Sequence, residues 1–339
     1  MKRIVTIDVG GTHVPLALAE IEAGRVGNLG EATTFLTGDF PSLERAWSAF
    51  AGKLGQALPN AVAIAFAGPV HGDVLKLTNS SWIIRPAAAG ASLGVDSATV
   101  VNDFAAIGYA IAVMGPGELQ HVCGPDVDLP GRGTISIVGP GTGPGVAHVL
   151  RTATGPYVSE TEGGHMDFAP LDPIEDRLAT ALRARFRRVS AERILSGPGL
   201  KNIYEVMAEG DVTHGSYDIE DLWTVALAGS DPMAEAALER FCLCLGGFGG
   251  DLALAQDESG LVIAGGLGLR LADRLSHSGF PLRFAAKGRF EAYMSGIPVK
   301  VLTHPNPGLL GAAAAYAIEH SAGASPPAVP ALVDDRNGR

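Results

Sequence analysis

RIVTIDVGGT, residues 3–12, is an apolar run carrying Thr6 and Asp8 inside it and halted by two glycines and a threonine. Its β-branched residues suit a pleated strand over 3–9, and the glycines allow a tight turn at 10–12. VPLALAEI (14–21) then reads as the returning strand, although Pro15 has no N–H to give a sheet ladder. The same theme recurs further on. GTISIV (133–138) feeds GPGTGPG (139–145), and VAHVL (146–150) returns. Two strand, glycine-turn, strand units predict a duplicated fold with the two turns facing each other across a cleft.

Around these units strands alternate with helices. SLERAWSAFAGKLGQAL (42–58) places Leu43, Trp47, Phe50, Leu54 and Leu58 at helical spacing, with Ser42 as candidate N-cap. AVAIAFA (61–67) is a buried strand, and ATVV (98–101) another that runs into Asn102-Asp103-Phe104. PIEDRLATALRARFRR (173–188) is an amphipathic helix on Ile174, Leu178, Leu182 and Phe186. A long helix over 233–256 contains Gly246-Gly247 and Gly249-Gly250, which imply a kink or close helix packing. GLVIA (260–264) is a strand ending in Gly265-Gly266, and PGLLGAAAAYAI (307–318) is a helix. This alternation predicts an α/β architecture.

The chain has 339 residues, 47% of them hydrophobic, which suits two domains with cores of their own. A net charge of −11 repels nucleic acid and anionic membrane surfaces. It leaves room for a nucleotide substrate, because backbone N–H groups and a metal ion can hold phosphates locally. Cys123, Cys242 and Cys244 are too few and unpaired in number for a disulfide framework, and fit a reducing cytoplasm. Cys242 and Cys244, two apart on a helix, read as small core hydrophobes. No signal peptide or membrane span is expected. The segment 321–339, rich in Pro, Ala and charge, is expected to be a flexible tail.

The polar residues that end apolar strands carry the chemistry. Asp8 lies beside a turn whose N–H groups can cradle phosphate, so a Mg²⁺ ion between them would relieve the repulsion, with an ordinary capped hairpin as the alternative. Gly139 to Gly145 has four glycines in seven residues but Pro144 at the third-glycine position of a dinucleotide fingerprint, which disfavours a dehydrogenase. Asp103, at a strand end, can take the proton of an attacking hydroxyl or cap the helix that follows. Asn79, Glu162, His165 and Glu192 offer the acceptors and donors that sugar hydroxyls need.

As a set, IDVGGT (7–12), LTNSSW (77–82), VNDFAA (101–106), GPGTGPGVAH (139–148), ETEGGHMDFAP (160–170), SAERILSGPGLKNIY (190–204), IAGGL (263–267), KGRFEAYMSGIPV (287–299) and NPGLLGAAA (306–314) resemble the bacterial glucokinase family, within the sugar kinase, actin and heat-shock ATPase superfamily. The resemblance implies two ribonuclease-H-like α/β domains, with mixed sheets flanked by helices, around a deep cleft. Residues 1–113 plus 306–320 would form the small domain and 114–305 the large one. It implies ATP-dependent phosphorylation of glucose at the 6-hydroxyl, with ATP as co-substrate, Mg²⁺, a cytoplasmic location and a homodimer. Asp103 would be the general base. Asn102, Glu162, His165 and Glu192 would bind the sugar. Gly10, Gly11 and Thr12 would face the β- and γ-phosphates, and Gly141, Thr142 and Gly143 would form the second phosphate loop. Gly265, Gly266, Pro307 and Gly308 would border the adenosine, and Asp8 would place Mg²⁺, directly or through water. The chain departs from the family at His13-Val14-Pro15, where Asn-Ala-Arg is frequent, and at Pro144, where an aliphatic residue is usual. Those departures motivate a second reading, a sugar-binding pseudokinase or sensor; a kinase for another hexose or phosphoryl donor is a third.

Overall fold

The structure, a computed structural model, describes residues 1–68, 70, 73–77, 82–210 and 215–321. In the first half, β1 (Lys2–Val9), β2 (His13–Glu22), β3 (Arg25–Leu29) and β4 (Thr33–Leu36) precede α1 (Leu43–Leu54) and β5 (Ala61–Phe66). A minimal hairpin, β6 (Leu75–Lys76) and β7 (Ile83–Ile84), leads through α2 (Ala89–Leu93) to β8 (Ser97–Asn102) and α3 (Asp103–Val113). The second half holds β9 (Leu119–Cys123), β10 (Gly133–Gly139), β11 (Gly145–Thr152) and β12 (Gly155–Thr161). Helices α4 (Pro173–Phe186), α5 (Gly197–Met207), α6 (Ile219–Ala228) and α7 (Pro232–Gln256) come next, then β13 (Glu258–Ile263). Four short helices follow, α8 (Gly265–Arg270), α9 (Ala272–Leu275), α10 (Phe280–Ala285) and α11 (Glu291–Met294), and β14 (Val299–Leu302) and α12 (Pro307–Glu319) end the described chain.

Apart from the β6–β7 hairpin, the strands form two sheets with one plan. The first runs β3-β2-β1-β5-β8, with β4 also on β2; the second runs β12-β11-β10-β13-β14-β9. In each, an antiparallel meander of three strands is extended by two parallel strands on the far side of its first strand. The duplication expected from the two glycine turns is therefore present at the level of whole sheets.

Side-chain size along the strands decides what covers each face. On β5, Val62, Ile64 and Phe66 point to one core with Leu43, Ala46 and Phe50 of α1. Ala61, Ala63 and Ala65 point to the other, where the small residues Ala312 and Ala313 let α12 lie close. Gly311 makes the approach to α3 possible, because a Cβ there would come 3.0 Å from the Ala106 Cα and closer still to its carbonyl. On the second sheet, Ile135, Ile137, Ala147 and Val149 pack with Ile107 and Ile111 of α3. The opposite face, with Val138, Val146, Leu261 and Ile263, is covered by the large helical layer of α4 to α10. Helix α3 thus lies between α12, which returns to cover the first sheet, and the second sheet.

Several local readings are sharpened. Helix α1 stops at Leu54 rather than continuing to residue 58, because Gly55 adopts the left-handed conformation (φ 63°) and its N–H closes back on the Ala51 carbonyl. Leu58 still packs on that core. Helix α7 runs unbroken through its glycines, which serve close packing: a Cβ at Gly250 would come 2.6 Å from the Phe284 carbonyl of α10. Cys242 and Cys244 are buried there, and all three cysteines are free. Pro15 sits in β2, but the register with β1 ends at Ile7↔Leu16, one residue beyond it. Of the segment 321–339, only Ser321 lies within the described residues. Among the described residues no helix is long and apolar enough to cross a membrane.

Candidate active site

Strand β8 delivers Asn102 and Asp103 to its carboxyl end, where α3 begins. Asn102, not Asp103, caps the helix. Its Oδ1 accepts from the N–H groups of Phe104 (2.8 Å) and Ala105 (3.1 Å), and its Nδ2 donates to the Gly68 carbonyl (2.9 Å). Asp103 is the first helical residue, and its Oδ1 accepts from the Phe104 N–H at 2.9 Å. That bond favours the charged form, but burial outweighs it, and the nearby Glu162 charge adds to the rise. The Asp103 carboxyl is pushed up to about 6.

Asp103 opens onto a cavity of about 510 Å³ that Gly68, Asn102, Gly143, Pro144, Glu160, Glu162, His165 and Glu192 also line. Glu162 and His165 lie at the end of β12 and its following turn, and Glu192 comes from the loop before α5. His165 Nε2 stands 3.9 Å from a carboxylate oxygen of Glu162 and 3.7 Å from one of Glu192. Two ties bring these loops together: the Ala191 N–H donates to the Met166 carbonyl at 2.8 Å, and Arg188 donates to the His165 carbonyl (2.7 Å) and the Asp167 carboxylate (2.6 Å). Four carboxylates and no Lys or Arg line the cavity among the described residues.

The first glycine turn lies at the end of β1. The Gly10 N–H donates to the His13 carbonyl at 3.1 Å, and Thr37 clamps the turn from outside. The Thr37 hydroxyl donates to the Gly10 carbonyl (2.9 Å), and its N–H donates to the Thr12 carbonyl (2.9 Å). Gly11 and Thr12 stay exposed at the tip. Asp8 faces the start of α12, where a Cβ on Gly308 would come 2.6 Å from the Asp8 Cγ. Burial first, then the Asp103 charge, pushes the Asp8 carboxyl up to about 7. The Pro307-Gly308 turn, expected beside adenosine, therefore sits against Asp8.

The second turn is packed on several sides. Gly141 accepts a hydrogen bond from the Gly197 N–H at 2.8 Å. A Cβ on Gly143 would come 2.6 Å from Glu192 Oε2. Pro144 is buried against Gly164. Gly265 backs onto Pro140, while Thr142 is exposed and Gly266 has open space beside it. Asn79 lies outside the described residues. Thr37, Phe104 and Glu160 were not singled out from sequence. Glu160 had a signal, since it lies two residues before Glu162 at a strand end and so shares its face. Thr37 had none.

A family model described as Glucokinase matches residues 5–319. The glucokinase of Zymomonas mobilis subsp. mobilis is 58% identical over 320 residues, covering 94% of this chain and 98% of that protein. The glucokinase of Pectobacterium atrosepticum is 40% identical over 309 residues, covering 91% and 94%. A crystal structure of glucokinase from an Antarctic psychrotroph superimposes with a TM-score of 0.82 at 32% identity, covering 93% of this chain and 98% of that one. The sheet plan, the acidic cavity at the end of β8 and these likenesses agree: the chain belongs to the glucokinase family.

Proposed function

We propose that this enzyme transfers the γ-phosphoryl group of ATP to the 6-hydroxyl of glucose. The observation that carries the reading is Asp103: a carboxylate lining the acidic cavity, next in sequence to the Phe104 that meets the second glycine turn, which burial brings to about 6. At neutral pH it is mostly ionised and basic enough to accept a hydroxyl proton. Asp103 takes that proton as the sugar oxygen attacks the γ-phosphorus, and the bond between that phosphorus and the β–γ bridging oxygen breaks to release ADP. Glu162, His165 and Glu192 supply one donor-acceptor cluster for ring hydroxyls. The remaining Asn102 N–H is a further donor, its other amide atoms being engaged in the cap and in Gly68. The Gly10 N–H is spent on the His13 carbonyl, so in the first turn the exposed Gly11 and Thr12, and in the second turn Thr142, are the positions whose backbone N–H groups would reach phosphate oxygens.

The donor set fits magnesium. Asp8 is a buried acid whose charged neighbour is another acid, Asp103. Among the described residues no cluster of three or more His, Cys, Asp or Glu could hold a metal alone. An ion held by one carboxylate plus phosphates is the usual magnesium arrangement, and when bound it would neutralise charge on the transferring phosphoryl group. Residues 1–113 plus 306–320 and 114–305, each with a sheet of its own and joined by the core that α3 shares with the second sheet, would be the two lobes whose closure excludes water. Family membership is the support for a cytoplasmic homodimer, which sedimentation velocity tests.

The direct test incubates the purified protein with Mg²⁺, ATP and a panel of hexoses and follows glucose 6-phosphate. Glucose is expected to be turned over best, and chelation of the metal is expected to abolish turnover reversibly. Calorimetric glucose binding with no product from any hexose would favour the sensor reading instead. Neither Pro15, outside the β1 register, nor Pro144, packed into the cavity wall, disturbs the fold of its turn.

A further inference from the structure

The second hairpin pinches shut at Gly139 and Gly145, which are register partners across β10 and β11. Neither glycine is explained by a ligand. A Cβ on Gly139 would come 2.9 Å from Cε1 of Phe104 and closer to its Cζ, and one on Gly145 would overlap the same ring. The two glycines together form a flat seat, and the Phe104 ring fills it. Phe104 follows Asp103 in the first turn of α3 and is held with Ile107, Ile111, Ile137, Ala147 and Val149 in one apolar cluster. Lower down, Gly108 lets α3 press on β12, since a Cβ there would come 2.6 Å from Val158 Cγ1. The helix is thus docked on the second sheet along its length, with Phe104 lining the cavity.

We propose that Phe104 is a positioning residue, which fixes the spacing between the proton acceptor Asp103 and the second phosphate-facing hairpin by seating its ring on Gly139 and Gly145. The inference rests on the kinase reading above and adds a residue to it. Asp103 belongs to the acceptor side of the reaction and the hairpin to the donor side. One aromatic ring spans the two, so a change in the seat alters the distance between sugar oxygen and phosphorus. Misplacement of about 1 Å can cost on the order of 100-fold in rate.

The experiment is a double-mutant cycle on Phe104→Ala, Gly145→Ala and the pair, with Phe104→Leu as the conservative variant. Phe104→Ala should lower kcat roughly 10- to 100-fold and raise the KM for ATP, with the KM for glucose moving less than about 3-fold. Phe104→Leu should fall between Ala and wild type. Gly145→Ala alone should be as harmful, because its methyl displaces the ring. In the pair the vacated space accepts the methyl, so the double variant should outperform Gly145→Ala. Full kcat and unchanged ATP KM in Phe104→Ala, with only a lower Tm, would overturn the proposal, as would additive losses in the pair. If Phe104→Ala does not fold, the leucine and Gly145→Ala variants decide by the same kcat and KM split. Calorimetry with a nonhydrolysable ATP analogue reads the hairpin without turnover. Weakened nucleotide binding in the Phe104 variants, beside a wild type inactive on glucose, would uphold the seat while removing the glucose reading.

Discussion

The two glycine hairpins have the same place in their sheets and are held by opposite means. The first, at Gly10 to Thr12, is clamped through its backbone carbonyls by Thr37, and its tip is exposed. The second, at Gly139 to Gly145, is packed by side chains: Phe104 across its throat, Glu192 against Gly143 and Gly164 behind Pro144. The difference shows what glycine is for in each. In the first, Gly10 lets the hairpin close on itself, since a Cβ there would come 2.9 Å from the His13 carbonyl, and Gly11 and Thr12 are left exposed at the tip. In the second, Gly139, Gly143 and Gly145 admit other parts of the protein, and Thr142 is the exposed residue of the turn.

Asp103 adjoins the second hairpin, through Phe104, and is felt electrostatically by Asp8 next to the first. Removing its charge should therefore give the largest effect of any single change. Asp103→Asn is expected to lower kcat by about 10²–10⁴-fold while calorimetric glucose binding persists. Turnover within a few-fold of wild type would take Asp103 out of the base role and leave the hairpins with no common centre.

Breaking the clamp of the first hairpin should cost less and fall on the nucleotide. Thr37→Val keeps the shape but leaves the Gly10 carbonyl without its 2.9 Å donor. Losing this partly buried hydrogen bond costs about 0.5–1.5 kcal/mol, so the KM for ATP should rise roughly 2- to 10-fold. Thr37→Ser should stay near wild type. A rise confined to the glucose KM would show that the clamp serves the sugar side instead.

At the second hairpin, a Cβ on Gly143 meets the movable end of Glu192 at 2.6 Å, not backbone. Glu192 can swing aside, at the expense of its 3.7 Å approach to His165. Gly143→Ala should accordingly raise the glucose KM by a modest factor, roughly 3- to 10-fold, at nearly constant kcat, the pattern of lost uniform binding. An effect on the ATP KM alone would mean that Gly143 faces phosphate, as expected from sequence, rather than the sugar acid.

This contrast was only partly legible in the sequence. The β-branched apolar runs RIVTIDV and GTISIV, each stopped by glycines, announced both hairpins, because a short apolar run bounded by turn residues is a local signal of a buried strand. Asp103 and Glu162 stood out as acids at the ends of apolar strands. What the chain does not announce is contact across long separations. Thr37 lies 27 residues from Gly10 with no turn motif to connect them. Gly139 and Gly145 were read only as part of a glycine-rich turn, and their occupant, Phe104, comes from more than 30 residues earlier in another layer. Asn102 displaced Asp103 as the helix cap because its side chain could satisfy two N–H groups at once, a choice that geometry makes and composition does not.

The smallest effect concerns stability and carries a definite sign. The Asp103 carboxyl is raised from 3.8 to about 6, chiefly by burial. Between those values the folded protein holds a proton that the unfolded chain has lost, so stability falls as pH rises through that window and levels off above it. Activity runs the other way, because the base must be ionised: kcat/KM for glucose should climb as pH passes about 6. Asp103→Asn removes the ionisable group while keeping its shape. Its Tm should match wild type near pH 4 and exceed it from pH 6 upward, a gain bought with catalysis. The two hairpins then bracket a carboxylate that the fold would hold more easily uncharged. A variant Tm at or below that of wild type at pH 8 would mean that the ionised form is already well accommodated, and that the 2.9 Å bond from the Phe104 N–H, with the start of α3 beside it, outweighs burial.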